Sequence, residues 1–205
     1  MIKIIRKFLR ISVLAILLVL IAGCSNNATP ANKNMDNKKM LLVIAPKDFK
    51  DVEYSSTREK LEENGIQVEV ASIQTGTAVG ADGMEVEVEK QVSEVDPNDY
   101  SGVAFIGGPG MAQIVGDDTL QNTARRFYEA QKITSAICIA PVILANSGIL
   151  ENKEATVFPD GEEQLKQAGA QLKDKPVVVD GKIVTGNGPD AAEEFGRTLA
   201  EELNK

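Results

Sequence analysis

An alternation of apolar runs with amphipathic stretches is the feature that most constrains how this chain can fold. MLLVIA at 40–45 and VAFIG at 103–107 are continuous apolar runs, a pattern typical of parallel strands that are covered on both faces. The segments 54–65 and 117–131 have helical spacing; the first ends at Gly65 and the second begins with acidic residues, which suit a helix N-terminus. The alternation predicts an α/β fold, a mostly parallel central sheet with helices on both faces.

The other predicted elements continue this alternation up to the last residue. They are a strand at 66–72, a half-exposed strand at 84–89 in an edge hairpin, the strand SAIC at 135–138, a helix at 139–148, the strand ATVF at 155–158, a helix at 162–169, a hairpin at 176–186 with Asp180-Gly181 at its tip, and a helix at 190–205.

The first residues have the pattern of an export signal. MIKIIRKFLR carries four basic residues and no acidic one, and the apolar stretch ISVLAILLVLIAG follows and ends at Cys24. Ile-Ala-Gly-Cys resembles the lipobox of bacterial lipoproteins, so we expect a signal peptide at 1–23 and a lipid on Cys24. An ordinary cleaved signal or an uncleaved anchor helix are the alternatives. Residues 24–38 then form a polar tether, and 39–205 form one domain.

Charge and cysteine count restrict the partners of this predicted domain. The whole chain has 22 basic and 30 acidic residues and a net charge of −8, and loss of the four N-terminal basic residues brings it to −12. Such an acidic surface argues against nucleic acid and against electrostatic binding to anionic lipid. The membrane contact is therefore expected to come from the lipid on Cys24, which places the domain outside the cytoplasm on a bacterial membrane.

Cys138 is the candidate nucleophile. If Cys24 is acylated, Cys138 has no intrachain disulfide partner. It follows a strand-like run and precedes a helix-like run, and such turns expose nucleophiles in α/β enzymes. KDFKDVE after the first strand and GGPG after VAFI also fall at the ends of strands, where ligands bind in open α/β sheets. The chain contains no histidine and shows neither a metal-ligand set nor a phosphate loop, so we expect no metal and no cofactor.

Five segments, in order, make the chain resemble the ThiJ/PfpI family of the class I glutamine-amidotransferase-like superfamily. They are FKDVE, VAFIGGPG, AICIAP, ATVFPDGEEQLKQAGA and VVVDGKIVTGNGP. The resemblance implies a flavodoxin-like α/β sandwich that is commonly dimeric. It also implies catalytic roles for Cys138 and Glu53, and an oxyanion hole formed by Gly108 and the backbone N–H of Ile139.

The chain departs from the peptidase-like members of that family at two positions. Ile139 stands where those members have the histidine of a Cys-His-acid triad, and Phe158 stands where some deglycase-like members have a histidine. Triad hydrolysis needs a base within reach of the nucleophile, which makes peptidase or amidase activity the least favoured hypothesis.

The resemblance favours a reactive cysteine that acts on small electrophiles. We expect glyoxalase- or deglycase-like chemistry on carbonyl compounds, or an oxidative-stress response, with a non-enzymatic extracytoplasmic binding protein as the alternative. The Cys138 pKa is expected below the usual thiol value because a helix begins there, and the Glu53 pKa above the usual carboxyl value. Two other interpretations stay open. One is that Cys138 is a packing residue, and the other is that Lys47 and Lys50 are solvated surface lysines.

Overall fold

The computed structural model describes residues 38–205. The predicted signal peptide, Cys24 and all but the last residue of the predicted tether lie outside the described residues. Within 38–205, no helix combines the length and the apolar character that a membrane crossing requires.

Twelve strands are formed within residues 38–205, most of them short. They are β1 (Lys39–Val43), β2 (Lys47–Phe49), β3 (Gln67–Ser72), β4 (Gly76–Gly80), β5 (Glu85–Val88), β6 (Lys90–Gln91), β7 (Gly102–Phe105), β8 (Ile133–Ile137), β9 (Glu154–Ala155), β10 (Gln171–Leu172), β11 (Val177–Asp180) and β12 (Ile183–Gly186).

In this described part of the chain, six α-helices lie between or after the strands, and short 3-10 turns join some of them. The helices are α1 (Asp51–Glu63), α2 (Pro109–Ile114), α3 (Asp118–Glu129), α4 (Pro141–Asn146), α5 (Glu162–Gln167) and α6 (Ala192–Leu203).

The central sheet has seven strands in the order β11-β12-β8-β7-β1-β3-β6. All neighbours are parallel except β11, which forms an antiparallel hairpin with β12. The strands β1, β7 and β8 are almost wholly buried, and for β1 and β7 their continuous apolar runs predict this. Because they are adjacent and parallel, their carboxyl ends meet at one edge of the sheet.

The helices form two layers, and the predicted α/β architecture is confirmed. On one side α1 packs along α6, and on the other α3 packs against α4. The α1–α6 contact is close at Gly196, where a Cβ would lie 3.0 Å from Thr57 Cα. The largest buried side chains include Phe105, Phe127 and Phe195, which fill the space between the sheet and the helices.

Two predicted strands are placed differently from the expectation. The hairpin at 84–89 forms, but β4 and β5 make a separate three-stranded sheet with β2 and do not extend the central sheet. ATVF is not a central strand either; only Glu154–Ala155 is extended, in a two-stranded sheet with β10. The backbone N–H groups of Thr156 and Phe158 donate to Thr185 Oγ1 and to the Cys138 carbonyl, so this segment crosses the end of the sheet.

Candidate functional site

Cys138 lies directly after β8 in a sharp turn that leads to α4. Its φ is +64°, in the left-handed region that costs a non-glycine residue about 1–3 kcal/mol and is found at functional sites. The turn is held on both sides: the Cys138 N–H donates to the Gly186 carbonyl at 2.9 Å, and its carbonyl accepts from the Phe158 N–H at 2.8 Å. The residue is 8% exposed, so the thiol is reached only through the cavity above it.

Glu53 brings a carboxyl group to this thiol from the first turn of α1. Its side chain is fully buried, and Oε2 accepts a 3.0 Å hydrogen bond from the Gly107 N–H. Oε1 has no hydrogen-bond partner among the described residues. The carboxyl group also interacts with the Cys138 thiol, and this interaction lowers the pKa of Glu53 and raises the pKa of Cys138.

Gly107 permits this approach because it has no side chain. A Cβ at this position would lie 2.5 Å from Cys138 Cβ and 2.8 Å from Glu53 Oε2. Both distances are shorter than real contacts allow, so any other residue would push the carboxyl and the thiol apart.

Two backbone N–H groups are directed at the Cys138 sulfur. They belong to Gly108 and Ile139, and both lower the thiol pKa. Gly108 has φ +114°, and a Cβ there would lie 2.5 Å from Lys50 N and 2.6 Å from Asp48 O. The positive φ and the lack of space for a Cβ both therefore require glycine at position 108. The two amides that the resemblance implies as an oxyanion hole do lie at the sulfur.

Burial raises the pKa of Glu53 to about 7, while the Cys138 contact, the Gly107 hydrogen bond and the Lys50 charge oppose the rise. The direction agrees with the sequence-based expectation. A carboxyl group with this pKa changes protonation near neutral pH, where it can both accept and return a proton.

The expected lowering of the Cys138 pKa is wrong. Burial and, after it, the charge of nearby Glu53 and the contact with its side chain raise the thiol pKa to about 12, and the Gly108 and Ile139 amides offset only part of this rise. The helix α4 has six residues and starts three positions later, so it contributes little at the sulfur. The two groups titrate as a pair that holds one negative charge over a wide pH range, because a second charge beside the first is unfavourable.

A cavity of about 440 Å³ opens above the sulfur. Its wall is mostly apolar, with a few charged and polar groups. The lining residues are Lys50, Glu53, Gly108, Pro109, Ala112, Gln113, Cys138, Ile139, Phe158, Asp160 and Pro189.

Asp51 is a structural carboxylate beside the site, and the sequence analysis did not identify it. Asp51 is 7% exposed, and its two oxygens accept from the Asp82 N–H at 2.9 Å and the Met84 N–H at 2.7 Å. It therefore holds the β4–β5 turn against the start of α1. Lys50, next to it, forms a 2.7 Å ion pair with Asp82 on the cavity wall. Nothing in the local sequence distinguishes Asp51 from an ordinary acid in the first turn of a helix.

The other candidates are placed as follows. Lys47 is exposed and does not line the cavity, whereas Lys50 does. GGPG is more than a turn, since Gly108 caps α2 and Pro109 is its first residue. Cys138 is the free cysteine of the described residues, and no group of His, Cys, Asp or Glu there is arranged to hold a metal ion.

Comparison with known proteins agrees with this geometry. Residues 38–202 match the DJ-1/PfpI family. An uncharacterized protein of Methanocaldococcus jannaschii is 41% identical over 96% of this chain and 98% of its own. YraA of Bacillus subtilis, by its name a candidate cysteine protease, is 34% identical over 81% of this chain and 97% of its own.

A solved structure shows the same flavodoxin-like architecture. The crystal structure of a ThiJ/PfpI domain protein from Brachyspira murdochii superposes with a TM-score of 0.80 at 33% identity, covering 81% of this chain and 96% of that one. The sequence match spans nearly all the described residues, and the nucleophile turn and the mostly parallel sheet are in place. The chain belongs to the DJ-1/PfpI family.

Proposed function

We propose that the protein uses Cys138 and Glu53 to convert small electrophilic carbonyl compounds, with 2-oxoaldehydes as the substrate class. One observation carries this proposal: a fully buried carboxyl group with a pKa of about 7 lies against a thiol at the base of a cavity. Histidine serves as the base in many cysteine enzymes because its usual pKa is near 6.5. Glu53 offers a proton acceptor of similar strength in a chain without histidine.

The first step is addition of the thiol to the aldehyde. The Glu53 carboxylate takes the thiol proton as the Cys138 sulfur attacks the aldehyde carbon, and the C=O electron pair moves to oxygen. The Gly108 and Ile139 N–H groups then donate to that oxygen, and Glu53 returns its proton to it. The product is a hemithioacetal. Because the thiol proton passes to Glu53 while the sulfur attacks, no free thiolate has to form. A free thiolate is disfavoured by the raised pKa of the thiol.

The second step moves hydrogen within the bound substrate. The Glu53 carboxylate removes the proton from the former aldehyde carbon, which gives an enediolate with its negative charge on the oxygen of the neighbouring carbon. The hydroxyl proton of the hemithioacetal passes to that oxygen, and protonated Glu53 delivers its proton to the neighbouring carbon. This leaves a thioester of a 2-hydroxy acid on Cys138, and water hydrolyses it to the free acid and thiol. The net change is addition of water to the 2-oxoaldehyde, with no external oxidant or reductant. Removal of carbonyl adducts from amines would start from the same thiol addition.

A non-enzymatic binding protein is the second candidate. The observation that favours it is the thiol pKa of about 12, since so little thiolate is present at neutral pH. Oxidation of Cys138 in a stress response also needs the thiolate, so the raised thiol pKa limits it as well.

Peptide hydrolysis, which the name of the Bacillus subtilis relative suggests, is less well supported. An amide leaving group needs a proton donor placed away from the nucleophile, and no histidine is present to supply it.

Turnover of methylglyoxal by the purified full chain tests the proposal. Formation of the 2-hydroxy acid should be abolished in Cys138→Ser and lowered about 10²–10⁴-fold in Glu53→Gln, whose amide cannot carry the proton. Glu59→Gln, an exposed position of the same helix, is the matched control and should keep full activity. The wild-type rate should rise with pH to a plateau above about 7. Absence of turnover at every pH, with the fold intact, would support the binding protein; Cys138-dependent casein hydrolysis would support the peptidase.

We also propose that the domain is held on a membrane by a lipid on Cys24. The sequence Ile-Ala-Gly-Cys at the end of an apolar stretch supports this, as does the polar composition of the residues that follow. The domain would then act on carbonyl compounds outside the cytoplasm.

A further inference from the structure

The cavity above Cys138 is larger than a three-carbon oxoaldehyde needs. Its volume of about 440 Å³ lies within the range of ~300–1,000 Å³ typical of pockets for drug-sized ligands. A water molecule occupies about 30 Å³ in the liquid, so the space corresponds to more than ten waters. A substrate that fills it must carry a substituent beyond the reacting carbonyl groups.

Phe158 is the part of the wall that can recognise such a substituent. It is 36% exposed, whereas Phe49, Phe105, Phe127 and Phe195 are fully buried. An aromatic ring left in contact with water at the mouth of a cavity is a surface that a ligand can cover with a gain in free energy.

The backbone keeps this ring close to Cys138. The Phe158 N–H donates to the Cys138 carbonyl at 2.8 Å, so the two residues are joined through the backbone. One edge of the ring lies close to Gly188, where a Cβ would lie 3.3 Å from Phe158 Cδ2. Because the backbone of Phe158 is held at the Cys138 turn, less conformational freedom is lost when a ligand stacks on its ring.

The charges around the cavity disfavour an anionic substituent. An anionic group would meet the carboxylates of Asp160 and Glu53, and the Lys50 ammonium is already paired with Asp82 at 2.7 Å. The remaining wall is apolar, formed by Pro109, Ala112, Ile139 and Pro189 among others, and it suits an uncharged apolar group.

We propose that Phe158 determines the specificity of this site and that the substrate is a 2-oxoaldehyde bearing an aryl group, which stacks on the Phe158 ring. This inference rests on the proposed function for the reaction, but the recognition of the aryl group can be measured without turnover. The exposed ring close to Cys138 and the surplus apolar volume carry it.

The first test compares kcat/KM for phenylglyoxal and methylglyoxal. The wild-type protein should prefer phenylglyoxal, and Phe158→Ala should lower the ratio of the two values about tenfold, mainly through KM for the aryl substrate. Phe158→Tyr keeps a ring and should retain the preference. Phe158→Leu keeps apolar volume without a ring and should lose most of it. Val179→Ala, an exposed apolar position on β11, is the control and should leave the ratio unchanged.

The second test measures alkylation of Cys138 by iodoacetamide and by its N-phenyl derivative. The ratio of the two rates should favour the phenyl reagent in the wild-type protein, and Phe158→Leu should reduce that preference. If neither oxoaldehyde is turned over but this ratio still depends on Phe158, the proposed reaction fails, and the recognition of an aryl group by Phe158 stands. If the ratio in Phe158→Leu and Phe158→Ala equals the wild-type ratio, Phe158 does not select the substituent and the inference is overturned.

Discussion

The backbone N–H of Gly107 donates a 3.0 Å hydrogen bond to Oε2 of Glu53, which joins the end of β7 to the first turn of α1. The same carboxyl group interacts with the Cys138 thiol. It is fully buried, so its charged form is destabilised and its pKa rises, and the Gly107 hydrogen bond offsets part of that rise. The hydrogen bond thus helps to position the candidate base, whereas burial decides its protonation.

The first prediction is that Glu53 makes the free energy of unfolding depend on pH. The unfolded carboxyl ionises near 4.5 and the folded one near 7, so the folded state binds more protons between these values. Stability from this group is therefore fully present below about 4.5 and is lost as pH rises to about 7, by about 3 kcal/mol if the whole shift is realised. Urea unfolding at a series of pH values measures it. The difference in free energy of unfolding between wild type and Glu53→Gln should change with pH between about 4.5 and 7. If the free energies of the two proteins ran parallel over this pH range, the prediction would be contradicted.

The second prediction concerns the Cys138 thiol in the same variant. Removing the Glu53 charge should lower the thiol pKa, because that charge is a main cause of its elevation after burial. The rate of iodoacetamide alkylation against pH should shift to lower pH in Glu53→Gln and stay unchanged in Glu59→Gln. The variant should thus be alkylated faster than wild type at pH 8 while its turnover falls. An alkylation curve that does not move would mean that the two groups do not interact.

A third prediction tests the close approach at Gly107. Gly107→Ala should lower the free energy of unfolding by about 1–3 kcal/mol, because the new Cβ would lie 2.5 Å from Cys138 Cβ and 2.9 Å from the Ile137 carbonyl oxygen. Gly116→Ala is the matched control, since nothing lies within 4 Å of a Cβ there. Equal stability of the two variants in thermal or urea unfolding would show that the site relaxes without cost.

The fourth prediction is that Asp51 holds the β4–β5 turn. Asp51→Ala removes the acceptor for the Asp82 and Met84 N–H groups and should cost about 1–3 kcal/mol. Hydrogen exchange of these two amides should accelerate. Asp118→Ala, which changes an exposed acid in the first turn of α3, should leave them protected. Unchanged exchange in Asp51→Ala would show that the turn is held by other contacts.

The fifth prediction concerns the proposed anchor. Cys24→Ala should leave an unacylated precursor of higher mass, because lipid attachment to this cysteine precedes cleavage. Radiolabelled palmitate incorporation and intact mass measure it, with Cys138→Ser as the control that should still be labelled. A wild-type protein that takes up no label would remove the basis for the anchor.

The sequence predicted the elements that depend on local patterns. The apolar runs at β1 and β7, the strand β8 before Cys138, the hairpin of β11 and β12, and the helices α3 and α6 are where spacing and turn residues place them. A parallel sheet places the segments that follow its strands at one edge, which is where the segments of Glu53, Gly107 and Cys138 lie. The turn between a strand and a helix was the local signal for Cys138.

Protonation and the shape of the cavity were decided by the tertiary structure. Helix position alone suggested a lowered thiol pKa, but burial and a facing carboxyl group, which come from distant parts of the chain, raise it. The role of Asp51 depends on the turn of a separate small sheet, and Phe158 reaches the cavity because its segment crosses the sheet end. Desolvation and charge interactions depend on the distances between groups far apart in sequence. The sequence by itself therefore determined the fold class and the candidate nucleophile, and only the packed structure decided the ionisation of that cysteine and what surrounds it.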